Sequence, residues 1–239
     1  ANGCLTMVAF NRRFVPVAVE AKKIVEESGP IIQCMVTFHK YTRPEERRAW
    51  RENYELRRNE RGAIAPYMDD VCHAVDLLRW AGGDVKNVYS YVSKHYCDET
   101  NTYNALVEFE SGAIGILSTN RASGARVHNI ELHSKYTWAF VDLGRDLHKL
   151  NAIVARKSDS PYARPQIISS QALEGISGPS MDTRGFPPLY KYYGYYHENL
   201  HYIRCIKENR QPQTSFEDAV KTMELIVKIQ SGVGTKPIV

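Results

Sequence analysis

Three side chains capable of acid–base chemistry recur along one segment of the sequence. Asp69, His73 and Asp76 stand four and three residues apart, so in a helix they share one face, while Asp70 points about 100° away from Asp69. A carboxylate one turn from an imidazole stabilises the imidazolium and fixes the ring, which suits proton exchange near neutral pH. The spacing alone leaves three interpretations open: an acid–base pair, a carboxylate–histidine metal site, and a surface pair without function.

The element that must position these side chains is a predicted helix over Ala63–Trp80. Its apolar residues recur at spacings of three and four, which predicts one buried stripe: Met68, Val71, Val75 and Leu78. Gly82-Gly83 predicts its end, because glycine readily adopts the left-handed conformation that terminates helices.

The segments before and after this helix predict a mixed architecture. A helix over Val17–Ser28 precedes an extended stretch, Ile31–Tyr41, and two helices close the chain. The first closing helix is expected over Tyr193–Glu208. The second is expected to be capped by Ser215, with an apolar stripe of Phe216, Val220, Met223 and Val227.

The middle of the chain is strand-like. The expected strands are Val85–Tyr96, Thr102–Phe109, Ala113–Thr119, Val127–His133, Thr137–Leu143 and, within a long loop, Gln166–Ser169. Consecutive antiparallel strands flanked by helices predict an α+β fold, an open, largely antiparallel sheet with helices on one face. Apolar residues occur on both strand faces: Tyr103, Leu106, Ile114, Ile116 and Leu117. We therefore expect a second copy of the chain to cover the open face, forming a homo-oligomer.

Composition excludes several classes of protein. The 239 residues are 43% hydrophobic and carry 31 basic against 27 acidic side chains, a balance that excludes disorder and predicts no nucleic-acid partner. No apolar run approaches the roughly 18 residues of a membrane span, and no signal peptide is evident, so no membrane partner is expected. The five cysteines are odd in number and widely spaced, which suits a reducing compartment and a cytoplasmic location.

The beginning of the chain leaves two possibilities for its first apolar run. Leu5–Phe10 is a short apolar run typical of a buried strand, yet nothing precedes it that could pair with it. Either its neighbours come from later in the chain, or an amino-terminal part is absent.

Several stretches together resemble the glucose–fructose oxidoreductase/inositol dehydrogenase (Gfo/Idh/MocA) family of NAD(P)-dependent oxidoreductases. The Asp69-x-x-x-His73-x-x-Asp76 pattern matches the family's helix signature, although the usual glycines before it are reduced to Arg61-Gly62-Ala63. The other similar stretches are Met7–Phe14, Ala105–Gly115, Gly124–Leu132, Asn209–Pro212 and Ser215–Ala219. They occur in the family's order and span nearly the whole chain.

The resemblance also shows what this sequence lacks. The family's nucleotide domain has a glycine-rich phosphate loop and a Glu-Lys-Pro motif, and neither occurs here. The comparison implies that residues 1–14 are a remnant of that domain and that residues 15–239 form the C-terminal substrate-binding and oligomerisation domain. NAD or NADP would bind the full-length protein, and no cofactor is expected for this chain alone.

The resemblance further implies roles for individual residues. His73 would exchange the hydroxyl proton of a sugar or polyol, and Asp69 would orient the substrate or the imidazole. Arg12 and Arg13 would contact cofactor or substrate, with an inter-domain ion pair as the alternative. The other candidates for substrate contact are Asp76, Arg126, His128 and Tyr190. Solvated sheet positions (Arg126, His128) and packing under a loop (Tyr190) are the alternatives.

No metal is expected. His197 and His201 lie one helical turn apart, but the sequence offers no third ligand.

Three functions remain open at this level. The first is the substrate-binding and catalytic part of an NAD(P)-dependent dehydrogenase for a sugar, polyol or related hydroxy compound. The second is a non-enzymatic binding or dimerisation module on the same fold. The third is a glycosidase-like enzyme that uses NAD transiently.

Overall fold

The computed structural model describes residues 4–43, 45, 48–49, 52, 68–97, 100–144, 150–158, 164–173 and 189–232, except the side chains of 69, 171, 172 and 189. A 3-10 helix spans Asn11–Phe14, and the α-helices are α1 (Pro16–Glu26), α2 (Met68–Gly82), α3 (Ser170–Leu173), α4 (Leu189–Tyr192), α5 (Tyr195–Glu208) and α6 (Phe216–Gln230). The strands are β1 (Gln33–Tyr41), β2 (Val85–Ser93), β3 (Thr102–Phe109), β4 (Ile114–Asn120), β5 (Ala122–Ser134), β6 (Thr137–Asp142), β7 (Asn151–Arg156) and β8 (Gln166–Ser169). Arg43–Arg61 is crowded with arginine and glutamate, a pattern that favours a solvated loop or helix face, and most of it lies outside the described residues.

The eight strands form a sheet in the order β2-β3-β4-β1-β5-β6-β7-β8. The β1–β4 pair is parallel, whereas the pairs β2–β3, β3–β4, β6–β7 and β7–β8 are antiparallel. The expected α+β fold with an open, mostly antiparallel sheet is therefore confirmed. No helix within the ranges given above is long and apolar enough to cross a membrane.

The chain divides into two compact units, of which residues 32–129 and 222–239 form one. In this unit α2 packs on β1 and β4. The predicted stripe of Met68, Val71, Val75 and Leu78 is fully buried. Gly82 lies so close to the ring of Phe109 that a Cβ there would be 2.0 Å from a ring carbon. The helix ends as predicted, with Gly83 at φ +98°.

Residues 1–31 and 130–221 form the other unit. Here α1 packs on β6 and β7, because its apolar positions fall on one side: Val17, Ala18, Ala21, Ile24 and Val25 are all buried. Pro16 opens this helix, where its missing N–H costs no hydrogen bond.

Two expectations about elements are wrong. Leu5–Phe10 is irregular rather than a strand, and Val8 donates its N–H to the carbonyl oxygen of Thr214 over 2.7 Å.

In α6, Phe216, Val220 and Val227 are exposed, whereas Ala219, Thr222, Leu225, Ile226 and Ile229 are buried. This helix carries apolar residues on two sides, so periodicity alone could not select the buried one. Its predicted cap is confirmed, since the Ser215 hydroxyl accepts the N–H of Asp218.

Candidate active site on helix α2

The first turns of α2 carry the predicted acid–base pair. Asp69 belongs to the helix, but its side chain lies outside the described residues. His73 is half-buried one turn further on, and groups at this spacing have Cβ atoms roughly 5–6 Å apart. Because α2 packs on β1 and β4, which are parallel, its first turn meets the carboxyl ends of both strands.

Asp70 anchors this first turn to the two strand ends. Its carboxylate accepts a hydrogen bond from Nη2 of Arg121 over 2.7 Å and from Nζ of Lys40 over 3.4 Å. Burial by itself would raise the pKa of Asp70, but the charges and hydrogen bonds of Arg121 and then Lys40 lower the pKa below its ordinary value. Asp70 is therefore an ionised anchor near neutral pH.

Three basic side chains surround the buried ring of Phe38 next to this anchor. Phe38 of β1 lies with its ring centroid 5.4 Å from the guanidinium of Arg121 and 5.6 Å from that of Arg126. The imidazole of His128 lies 4.7 Å from the same ring. The structure thus brings together Arg126 and His128, two predicted substrate contacts. His128 is fully buried, so the reachable group of the two is Arg126.

A pocket of about 180 Å³ opens beside Arg121, lined by Tyr41, Thr42, His95, Tyr96, Asn101, Arg121 and Ala122. One wall is fixed by Asn101, whose amide accepts the N–H of His95 and donates to the carbonyl oxygen of the same residue. The exposed ring of Tyr96 stands at the mouth with a left-handed φ of 61°. The pocket is preformed but smaller than the roughly 300–1,000 Å³ of a whole-ligand site, so it suits one functional group of a ligand.

Asp76 lies in the core instead of facing a substrate. Its side chain is fully buried, and its carboxylate accepts the hydroxyl hydrogen of Thr222 over 3.0 Å. That hydroxyl in turn accepts a hydrogen bond from Nη1 of Arg79. Arg79, Thr222 and Asp76 thus form a hydrogen-bonded series between α2 and α6. We therefore remove Asp76 from the proposed substrate contacts.

The remaining candidates belong to the unit of residues 1–31 and 130–221. The guanidinium of Arg12 lies 4.2 Å from the ring centroid of Tyr193. Arg13 pairs with Asp218 at 2.9 Å, an ion pair within the chain. Tyr190, in α4, is exposed. These contacts do not test the predicted contact of Arg12 and Arg13 with cofactor or substrate, which stays a prediction.

The histidine pair of α5 does not assemble a metal site. Nε2 of His201 accepts the N–H of Gln213 over 3.1 Å, which occupies that ring nitrogen. Within the described ranges, no group of three His, Cys, Asp or Glu side chains could hold a metal ion.

Sequence reasoning missed Lys40 and Thr42 altogether and gave no role to Asp70. The available signal was their position, since polar residues that directly follow strand ends often line sites. The parallel pairing of β1 with β4, which brings Lys40 and Arg121 to one edge, has no local sequence signal.

Residues 18–136 match the model of the GFO/IDH/MocA C-terminal domain. The chain belongs to the Gfo/Idh/MocA family. The matched residues contain the α2 site and most of the strands around it. No curated protein matches the sequence of the chain.

Solved structures share this Gfo/Idh/MocA fold at low sequence identity. A levoglucosan dehydrogenase in complex with NADH and levoglucosan is 20% identical with a TM-score of 0.76, over 96% of this chain and 64% of that chain. An NAD binding oxidoreductase from Klebsiella pneumoniae is 19% identical with a TM-score of 0.74, over 96% and 64%. A dehydrogenase from Clostridium difficile is 18% identical with a TM-score of 0.65, over 95% and 62%. The chain therefore spans less than two thirds of the length of these proteins.

Proposed function

We propose that this chain is the substrate-binding and catalytic part of a cytoplasmic NAD(P)-dependent oxidoreductase that acts on a hydroxyl group of a sugar, polyol or related compound. The observation that carries the proposal is the Asp69-x-x-x-His73 pair on α2, within the stretch that matches the family. Levoglucosan and L-sorbose occur as ligands of structural neighbours with the same fold, which supports a polyhydroxy substrate.

The glycines of the β3–β4 hairpin do not form a dinucleotide-binding loop. Gly112 and Gly115 could suggest a phosphate loop, but Gly112 closes the β3–β4 turn by donating its N–H to the carbonyl oxygen of Phe109. Gly115 lies in β4 against the Phe109 ring, where a Cβ would be 2.7 Å from a ring carbon. Dinucleotide folds hold pyrophosphate on the amides of a glycine-rich turn that opens a helix. We therefore assign the nucleotide, and the lysine of the family's Glu-Lys-Pro motif, to a domain outside these residues.

The chain's own contribution is positioning and proton transfer. His73 accepts the proton of the substrate hydroxyl as the carbon is oxidised and returns it in the reverse reaction. Asp69, one turn earlier, orients the imidazole or the substrate. The Asp70 anchor holds this turn against β1 and β4, so the helix backbone that carries the pair is positioned before the substrate arrives.

The proposal is tested with the complete native polypeptide that carries this chain. Oxidation of a panel of sugars and polyols is followed by the absorbance of NADH or NADPH, and the 239-residue chain is titrated with NADH by calorimetry. We expect turnover by the complete polypeptide and no micromolar NADH binding by the chain alone. Micromolar binding by the chain, or no oxidation of any hydroxy compound, would contradict the proposal.

A second part of the proposal concerns assembly. Tyr89 and Tyr91 of β2, Leu106 of β3 and Ile114 of β4 are exposed, and the register places Tyr89 opposite Leu106 and Leu106 opposite Ile116. Large apolar patches are rare on the surfaces of monomers. We infer that a second copy of the chain covers this face.

A further inference from the structure

An apolar row crosses the open face of the sheet in the unit that contains α2. The register places Tyr89 of β2 beside Leu106 of β3, and Leu106 beside Ile116 of β4. Ile116 in turn lies beside Met35 of β1. Tyr89 and Leu106 are exposed, and Ile116 and Met35 are half-buried. This row is therefore the centre of the face that we propose a second copy of the chain covers.

His39 lies close to this apolar row. It belongs to the open face of β1, because the alternate residues Val36 and Phe38 are buried on the other face. Its Nε2 lies 3.2 Å from Oγ of Ser118, which stands two residues beyond Ile116 on β4. Two residues of a strand span about 7 Å, whereas an interface of ordinary size, roughly 800 Å² per partner, extends about 16 Å from its centre. A second copy seated on the row therefore covers the imidazole.

The strands on either side of β1 present uncharged side chains on the open face of this unit. They are Ile114, Ile116, Ser118 and Asn120 on β4, and Ala125, Val127 and Asn129 on β5. On β1 itself, Lys40 bonds Asp70 of α2, and Tyr41 is an exposed phenol. Burial lowers the pKa of His39 below its ordinary value of 6.5. A second copy would bury the imidazole further, so its charged form would be less stable still.

Two acids of the open face have partners of their own. Glu108 on β3 accepts hydrogen bonds from Lys86 and Asn87 over 2.7 and 2.8 Å. Glu131 on β5 lies 3.8 Å from the ring of His133. The hydrogen-bond partner of His39 is a hydroxyl instead, and a hydroxyl does not stabilise an imidazolium as a carboxylate does.

We propose that His39 makes the assembly of this protein dependent on pH: two copies associate through the open face while the imidazole is neutral and separate when it is protonated. The inference rests on the proposed assembly. Because the charged form is disfavoured under a second copy, the pKa of His39 is lower in the oligomer than in the monomer. Association is therefore strongest above the monomer's pKa and weakens as the pH falls through it. An interface between two like copies contains two such imidazoles, so the effect is doubled.

The test is analytical ultracentrifugation of the 239-residue chain at pH 7.5, 6.0 and 5.0. We expect the dissociation constant of the oligomer to rise at least tenfold between pH 7.5 and 5.0. Circular dichroism checks that the fold is retained at each pH. The ordinary pKa of Asp70 is 3.8 and is lowered further in the fold, so the Asp70 anchor stays ionised over this range.

Two variants and one titration locate the effect. His39→Gln keeps a hydrogen-bonding side chain that cannot be protonated, so its dissociation constant should be the same at pH 7.5 and 5.0. His133→Gln is the matched control, since His133 is half-buried on the same face of the sheet, and it should keep the pH dependence. An NMR titration of the native chain, above and below its dissociation constant, should give His39 a lower pKa in the concentrated sample.

The outcomes separate this inference from the proposed assembly. A chain that is monomeric at pH 7.5 overturns both. An oligomer whose dissociation constant is the same at all three pH values overturns the inference and leaves the assembly standing. Tighter association at pH 5.0 also overturns it, because an acid of the second copy would then face the imidazole. The inference is equally wrong if His39→Gln keeps the pH dependence, if His133→Gln removes it, or if the pKa of His39 does not change with concentration.

Discussion

Asp70 is a charged side chain that acts through its neighbours. It bonds Arg121 and Lys40 at the start of α2 and fixes the turn that carries Asp69 and His73. Asp76, two turns along the same helix, bonds Thr222 in the core. One short segment of sequence therefore supplies a proposed catalytic pair, an electrostatic anchor and a structural relay.

We predict that Asp70→Asn lowers the free energy of unfolding by roughly 2 kcal/mol at pH 7, because the buried Arg121 loses its carboxylate. The pKa of Asp70 is lowered in the folded state from an ordinary value of 3.8. Its stabilising contribution is thus present above that ordinary value and is lost as the pH falls through the folded-state pKa. Thermal melts of both proteins should differ at pH 7, and the difference should shrink as the pH falls below about 4.

The control is Glu208→Gln, because the Glu208–Arg210 pair is exposed and should leave the melting temperature unchanged. A constant difference between Asp70→Asn and the native protein down to pH 2 would contradict the electrostatic anchor.

At the scale of the element, the position of α2 depends on close packing of this helix against the sheet. Four apolar positions at helical spacing bury its stripe, while Gly82 and Gly115 make room for the ring of Phe109. A helix positioned this closely can hold its first turn against β1 and β4, which the proposed site requires.

Gly82→Ala should destabilise the fold by about 1–3 kcal/mol, because the new methyl group would meet the buried ring of Phe109. Chemical denaturation measures the loss. Gly124→Ala is the matched control, since no atom lies within 4 Å of a Cβ at that position. Equal stabilities of the two variants would show that Phe109 does not limit the approach of α2.

The helices and strands differ in how well the sequence alone predicts them. Thr102–Phe109 was predictable to the residue because its apolar side chains alternate. The buried stripe of α2 was predictable because this helix has only one apolar stripe, although its predicted bounds differ from Met68–Gly82. The buried side of α6 could not be predicted, because this helix has apolar residues on two sides. Ile226 and Ile229 are buried, whereas Phe216 and Val220 are exposed. The pocket was not predictable either, because Thr42, Asn101 and Arg121 meet only through strand pairing distant in sequence.

At the scale of the whole molecule, the proposed second copy of the chain makes the open sheet face an interface. Tyr89 and Tyr91 of β2 are exposed, and so are Leu106 of β3 and Ile114 of β4, two strands whose other face is buried. An interface of this kind would bury apolar side chains that a monomer leaves in water.

Leu106→Glu should therefore convert the native oligomer into a monomer, because it places a charge at the centre of the proposed interface. Light scattering measures the mass, and circular dichroism checks that the fold is retained. Val19→Glu, at an exposed apolar position on α1, is the control and should not change the mass. A native chain that is monomeric at micromolar concentration would contradict the proposed assembly.

The most direct test of the account is the turnover of a His73→Asn variant of the complete native polypeptide, measured by NAD(P)H formation with its best hydroxy substrate. Loss of a proton-transferring side chain should lower kcat by roughly 10²–10⁴-fold and leave the melting temperature unchanged. A kcat within a few-fold of the native value would show that the imidazole of His73 does not exchange the substrate's proton.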